Sequence, residues 1–175
     1  TRISNLTSVE KISKFISKSG IKVLIVGNGS NLLISDSGFD GLVIQLGEDF
    51  ENISVADQVV TAGGAVSLPV LARYTVKNGL SGLEWAVGVP GSVGGAVRMN
   101  AGGHGASMSD SLLLVNVFDL QTNKYKELDV EELKMEYRST VISNYEIVIE
   151  AKFSLDTGKV EKGKEKISEI VKWRR

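Results

Sequence analysis

At 175 residues, the chain is long enough for one domain or for two small lobes sharing a core. With 42% hydrophobic and 23% charged residues and a formal net charge of -1, it has the composition of a soluble globular protein and lacks the basic excess that collects nucleic-acid phosphates. It contains no cysteine and a single histidine, which excludes disulfides and thiolate metal sites, argues against zinc and fits a reducing cytoplasm.

Thr7 and Glu10 have capping-box spacing, and Val9, Ile12, Phe15 and Ile16 fall on one face of a helix that Gly20 ends. The β-branched run from Lys22 to Val26 predicts a strand ending at Gly27. Leu32 to Ile34 and Leu42 to Leu46 predict two more, with Asp36-Ser37-Gly38 as the turn between them. Ile53 to Val55 and Val59 to Ala62 read as a hairpin leading into Gly63-Gly64, after which Leu68, Leu71, Ala72 and Val76 mark a helix stopped by Gly79. Leu112 to Phe118 and Tyr125 to Leu128 predict strands around the turn Gln121 to Lys124. Val130 to Leu133 then forms a short helix, and Glu146 to Leu155 the last strand. Val160 to Arg175 begins as a lysine-rich linker and becomes a helix carrying Ile167, Ile170 and Val171 on one side, with little obvious partner in the chain. The strands follow one another too closely for regular βαβ crossovers, so the layout is α+β with mixed or antiparallel pairing. No leader and no uninterrupted apolar stretch of about 20 residues is present, so neither a signal peptide nor a membrane span is expected.

The 19 glycines stand against two prolines and concentrate at 27–29, 63–64 and 79–105, which suits backbone that must approach a ligand closely. Gly27-Asn28-Gly29-Ser30-Asn31 follows a strand and can aim consecutive N–H groups at an anion such as a diphosphate, with Ser30 and Asn31 adding side-chain donors. The Rossmann fingerprint fails, because Leu32 occupies the third glycine position and another strand, not a helix, is expected next. Gly79 to Gly105 reads GLSGLEWAVGVPGSVGGAVRMNAGGHG, too rich in small residues to build a core and open to something flat or bulky.

That string closely resembles the flavin-binding segment of the UDP-N-acetylenolpyruvoylglucosamine reductases. VGNGSNLLISDSGFDGLVIQL resembles their first diphosphate-binding stretch, and Tyr137-Arg138-Ser139 their tyrosine-arginine motif. The resemblance runs from about residue 8 to the end. It implies a p-cresol methylhydroxylase-type (vanillyl-alcohol-oxidase-like) FAD fold with two α+β lobes. Residues 1–66 would form the first lobe, 67–158 the second, and 159–175 a linker and helix leading to a substrate-binding domain absent from this chain. It further implies FAD as cofactor and NADPH as co-substrate, with reduction of a small-molecule UDP-sugar enolpyruvate in peptidoglycan precursor synthesis, serving cell shape and division. The enzyme would be a cytoplasmic monomer.

By the same resemblance Gly27, Asn28, Gly29, Ser30 and Asn31 contact the diphosphate, with Leu32 beside them. Val89, Pro90, Gly91, Ser92, Gly94 and Gly95 run along the diphosphate and ribityl chain, and Asn100, Gly102 and Gly105 border the flavin. Arg138, with Tyr137, binds the enolpyruvyl carboxylate and polarises it, a task suited to a bidentate guanidinium. The family's tyrosine before the last glycine is replaced by His104, which either substitutes for it or sits in an exposed loop. Neither the family's proton-donating serine segment nor its C-terminal glutamate is found, and Ser139 and Ser143 do not replace them. The isolated chain is therefore expected to keep part of the FAD site and to turn over poorly. Two other readings remain open: a flavin oxidoreductase of the same fold acting on another small molecule, and a non-catalytic FAD-binding module.

Overall fold

The computed structural model describes residues 1–173. Strand β1 (Arg2–Ile3), helix α1 (Leu6–Ser19), strands β2 (Val23–Ile25) and β3 (Leu42–Leu46), the hairpin β4 (Ile53–Ala56) and β5 (Val59–Gly63), and helix α2 (Leu68–Lys77) come first. The glycine-rich middle contributes β6 (Leu80–Ser81), helix α3 (Val93–Arg98) and a small ladder of β7 (Gly102–Gly103) and β8 (Ala106–Ser107). The long strands β9 (Leu112–Asp119), β10 (Lys124–Asp129) and β11 (Glu146–Ser154) follow, with the one-turn helix α4 (Val130–Leu133) before the last. The chain then closes with β12 (Asp156–Thr157) and α5 (Val160–Trp173).

An antiparallel sheet in the order β10-β9-β11-β5-β4 separates two cores. Val115, Val117, Val148, Ala151 and Phe153 face the larger core with α2, Trp85 and α3, whereas Phe118, Ile147 and Ile149 face the smaller one. Strand alternation alone would send Val148 and Ala151 to opposite faces. A bulge between Val148 and Glu150 shifts the register and returns both to the larger core. The smaller core is completed by Ile3, Val9, Ile16, Val23 and Ile44 from α1 and the three-stranded sheet β1-β3-β2, and by Phe50 from the 3-10 turn that follows β3. That sheet is wholly parallel, so β1, α1 and β2 form one βαβ unit that the close spacing of strands did not suggest. The larger sheet draws on both sides of position 66, since β5 pairs with β11.

Four local expectations are corrected. Helix α1 is capped by Asn5, whose side chain accepts from Ser8 N–H at 2.9 Å, and not by a Thr7–Glu10 box, because the extended backbone of Asn5 starts the helix earlier. Phe15 is 54% exposed; the buried position beside it belongs to Ser13, which donates its hydroxyl to the Leu120 carbonyl at 2.8 Å. Leu32 to Ile34 is not a strand: β3 has β1 on one edge and β2 on the other, and the segment pairs with neither outer strand but runs as exposed irregular chain.

The fourth concerns the tail. Helix α5 begins at Val160, without a linker, and docks on α2 and on residues 84–88, while the expected helical residues 174–175 lie outside the described residues. Gly163 permits the crossing, because a Cβ there would stand 2.6 Å from Val76 Cγ1, and Ile170, Ile167 and Val171 pack on the larger core. Lys166 Nζ lies 3.6 Å from the buried Glu84 carboxylate. Burial pushes the Glu84 carboxyl up. The Ser81 hydroxyl, the N–H groups of Glu84 and Gly82 and the Lys166 ammonium outweigh it and hold the group below its usual 4.5. A depressed folded value stabilises the protein above the ordinary carboxylate range, and that contribution is lost as pH falls through the lowered value. Melting temperature measured downward from pH 4.5 is therefore expected to fall less steeply in Glu84→Gln than in the parent. Asp119 and Glu146, also depressed, contribute to the slope in both proteins.

Candidate functional site

Strand β2 runs into the turn Gly27-Asn28-Gly29-Ser30-Asn31, and Gln45 on β3 pins it by donating Nε2 to the Gly27 carbonyl at 2.9 Å. Gly29 takes φ +71° with open space where a Cβ would stand, a conformation in which neighbouring N–H groups converge on an anion. The backbone N–H groups of Asn28, Gly29, Ser30 and Asn31 donate to no atom among the described residues, while Leu32 N–H closes on the Gly29 carbonyl at 3.3 Å. Irregular chain follows, with neither a Rossmann helix nor a strand.

The opposite wall comes from residues 84–98. A 3-10 turn over Glu84–Gly88 leads into Val89-Pro90-Gly91-Ser92. That stretch is stitched to the start of α2 by Leu68 N–H to the Gly91 carbonyl (2.9 Å) and Val93 N–H to the Val66 carbonyl (2.8 Å). Ser92 caps α3, accepting from Gly95 N–H at 3.3 Å.

The two loops meet. A Cβ on Gly27 would collide with Ser92 Oγ, and one on Gly91 would lie 3.8 Å from Ser30 Oγ. Between the loops opens a cleft of about 330 Å³. A smaller one of about 150 Å³ adjoins it and shares Gly27, Asn28, Ser92, Gly95 and Arg98. The larger cleft has Arg98 and Arg138 as its charged lining residues and no carboxylate. In the smaller one, Glu51 is paired with Arg2 at 2.7 Å and Glu146 with Lys126 at 2.6 Å. Burial pushes Glu146 up, but Lys126 and the N–H and hydroxyl of Ser143 hold it low and ionised.

Of the residues singled out in the sequence, 27–32 and 89–92 line the larger cleft together with Gly95, Gly102 and Arg138. Gly94 lines the smaller one, packed so closely that a Cβ would stand 3.1 Å from the Gly64 carbonyl. Asn100, Gly105 and Tyr137 line neither. Asn100 is buried, with Nδ2 donating to the Glu136 carbonyl (3.1 Å) and Oδ1 accepting from Ser109 N–H (3.2 Å). It thereby supports a tight turn in which Glu136 and Ser139 exchange backbone hydrogen bonds and Tyr137 and Arg138 form the tip. Arg138, at φ +58°, donates Nη2 to the Gly102 carbonyl at 3.3 Å, with Cζ 5.3 Å from the centre of the exposed Tyr137 ring. His104 is exposed in the β7–β8 loop and meets the Trp173 ring edge-on at 5.1 Å.

Sequence reasoning missed Arg98, which sits at the seam of both clefts. The only signal was a basic residue interrupting a run of small ones. Among the described residues, no group of three or more His, Asp or Glu is placed to hold a metal, and no helix is long and apolar enough to cross a membrane.

Comparison with known proteins adds a family. A family model described as FAD binding domain matches residues 2–129. UDP-N-acetylenolpyruvoylglucosamine reductase of Lactobacillus acidophilus is 42% identical over 151 residues, 86% of this chain and 50% of that protein. The Bacillus pumilus protein of the same name is 36% identical over 173 residues, covering 98% and 57%. The chain thus spans about half the length of these relatives. The crystal structure of the reductase from Thermus caldophilus superposes with a TM-score of 0.83 at 30% identity, over 99% of this chain and 61% of that one. An alkyldihydroxyacetonephosphate synthase shares the fold, with a TM-score of 0.65 at 16% identity over 90% of this chain and 31% of that one. The α+β, vanillyl-alcohol-oxidase-like architecture implied by the sequence is the one observed.

Proposed function

The chain belongs to the FAD binding domain family, and from that membership we propose that it is the flavin-holding part of an NADPH-dependent reductase. The reaction is conversion of UDP-N-acetylglucosamine enolpyruvate to UDP-N-acetylmuramate in peptidoglycan precursor synthesis. One observation carries the reading: two glycine-rich loops about 60 residues apart in sequence face each other across one cleft, with unengaged N–H donors, two guanidinium groups and no carboxylate. Such a lining suits an elongated anionic dinucleotide, whose phosphate oxygens need donors and whose ring system needs backbone without intervening side chains.

In this reading Gly27 to Leu32 and Val89 to Gly95 hold the diphosphate and ribityl chain, and Gly102 approaches the ring. Asn100 acts from behind the wall, by fixing the turn that carries Arg138, whereas Gly105 lies in the exposed β7–β8 loop. FAD held by these two loops would supply the hydride-transfer chemistry between NADPH and the enol ether. Arg138 receives the substrate carboxylate. Its anchor on the Gly102 carbonyl and the Tyr137 ring beneath it orient the guanidinium, so that charge developing on the carboxylate meets a preset cation. No residue of this chain is assigned the proton for the adjacent carbon. In this reading the first lobe is 1–66 and the second 67–158, the two sharing the larger sheet through the β5–β11 pairing, and 159–175 leads toward the substrate-binding part. The protein acts as a cytoplasmic monomer on its UDP-sugar, without nucleic-acid or membrane partners.

The purified chain, examined by visible absorbance and then assayed for NADPH oxidation with and without the enolpyruvyl sugar, tests this. Bound flavin with little sugar-dependent turnover is expected. No flavin, and no binding of added FAD, would overturn the reading; brisk turnover would show that a proton donor lies within these residues.

A further inference from the structure

We propose that Arg98 is the counter-charge for the diphosphate of the bound dinucleotide, a role distinct from that of Arg138; this rests on the flavin reading above. Arg98 ends α3 and is half-buried at the seam where the two clefts share Gly27, Asn28, Ser92 and Gly95. Its Nη2 donates to Asn144 Oδ1 at 2.6 Å, and its carbonyl accepts from the Thr140 hydroxyl at 2.8 Å. The Thr140 bond fixes the backbone at the end of α3, and the neutral Asn144 amide orients the side chain without cancelling its charge.

Among the described residues Arg98 forms no ion pair. The carboxylates of the smaller cleft are already committed, Glu51 to Arg2 and Glu146 to Lys126. Arg98 and the exposed turn of Asn28 to Asn31, whose four N–H groups donate to no atom among the described residues, thus line one cleft that has no carboxylate in its lining. Such a lining favours an anion over a neutral or cationic ligand, and a diphosphate is the part of a flavin dinucleotide that carries charge. Arg138 stands by Gly102 on the β7 side and is left for the substrate carboxylate. The competing explanation is structural: an arginine in the last turn of a helix also favours the helix dipole. That role would respond to substitution through melting temperature and would be blind to the ligand.

Arg98→Gln and Arg98→Lys, compared with the parent chain, are titrated with FAD, ADP and riboflavin while thermal melting is recorded. For Arg98→Gln, FAD and ADP are expected to weaken roughly 10- to 100-fold with a shallower dependence on salt, and riboflavin to change less than about twofold. Arg98→Lys should recover part of the loss, since it keeps the charge but not the planar fork. Equal weakening of riboflavin and FAD, or no weakening of either nucleotide, overturns the proposal. If the parent binds ADP but no flavin, the flavin reading fails alone, and loss of ADP in Arg98→Gln still upholds the anion site. If the parent binds none of the three, both fall.

Discussion

Gly91→Trp is expected to lose flavin at least roughly 100-fold while melting within about 2 °C of the parent. A Cβ at position 91 would sit 3.8 Å from Ser30 Oγ and 3.9 Å from Leu68 Cδ1 and Val89 Cγ1, ordinary contacts that ask nothing of the fold. The backbone bonds of Gly91, its carbonyl to Leu68 N–H and its N–H to the Val89 carbonyl, are untouched by the substitution. Everything beyond Cβ must enter the cleft, between the Ser30 turn and the start of α2. A large ring there occupies the volume proposed for the diphosphate and ribityl chain. Flavin fluorescence titration and a thermal melt on the same preparation separate the outcomes. A parallel fall in both would mean that Gly91 serves packing, and the cleft would lose its central glycine.

Gly64→Ala is expected to do the reverse, costing about 3 kcal/mol and lowering the melting temperature by about 6–12 °C, because no collapse relieves a clash with backbone. A Cβ on Gly64 would collide with the Val148 carbonyl and stand 3.3 Å from Leu46 Cδ1. That carbonyl belongs to the bulge of β11, where Gly64 N–H also donates to the Ile149 carbonyl at 2.7 Å. On its other side Gly64 accepts from Gly94 N–H at 2.9 Å, which seats the start of α3. Both cores meet here, so displacement of Gly64 strains the sheet and the second loop together. Denaturant or thermal unfolding reads the effect directly, and a melting temperature within about 2 °C of the parent would show that the bulge is soft enough to move.

The contrast between Gly91 and Gly64 marks the limit of what composition reveals. Clustered glycine announced a place where backbone comes close to something, and both positions lie in such clusters. Whether the neighbour is a cleft or another strand depends on the β11 bulge, more than 80 residues away from Gly64 in sequence. Asn100 teaches the same lesson from the other direction. It lies within the string that resembles the flavin segment, yet its amide is engaged with Glu136 and Ser109 inside the wall. Arg98 was passed over because a basic residue at the end of a six-residue helix looks like any solvated arginine until Gly27 and Ser92 are placed beside it.

Helix α1, the β4–β5 hairpin, α2 and strands β3, β9, β10 and β11 were legible because their information is local. Period 3.6 or 2, with a glycine or polar turn at the end, is written into a dozen neighbouring residues. The two glycine-rich loops that face each other across the cleft were legible for a related reason, since backbone that must come close to a neighbour can tolerate few side chains. Pairing carries no such local mark. Leu32 to Ile34 has the composition of a strand, but both edges of β3 are taken by β1 and β2. The tail helix has an apolar stripe, but the surface that receives it, Val76 on α2 and the stretch around Glu84, is assembled only by folding. Element type and glycine placement were thus written along the chain, because they follow from short-range sterics and periodicity. Which edges, faces and charges meet required coordinates, because burial and ion pairing depend on residues far apart in sequence.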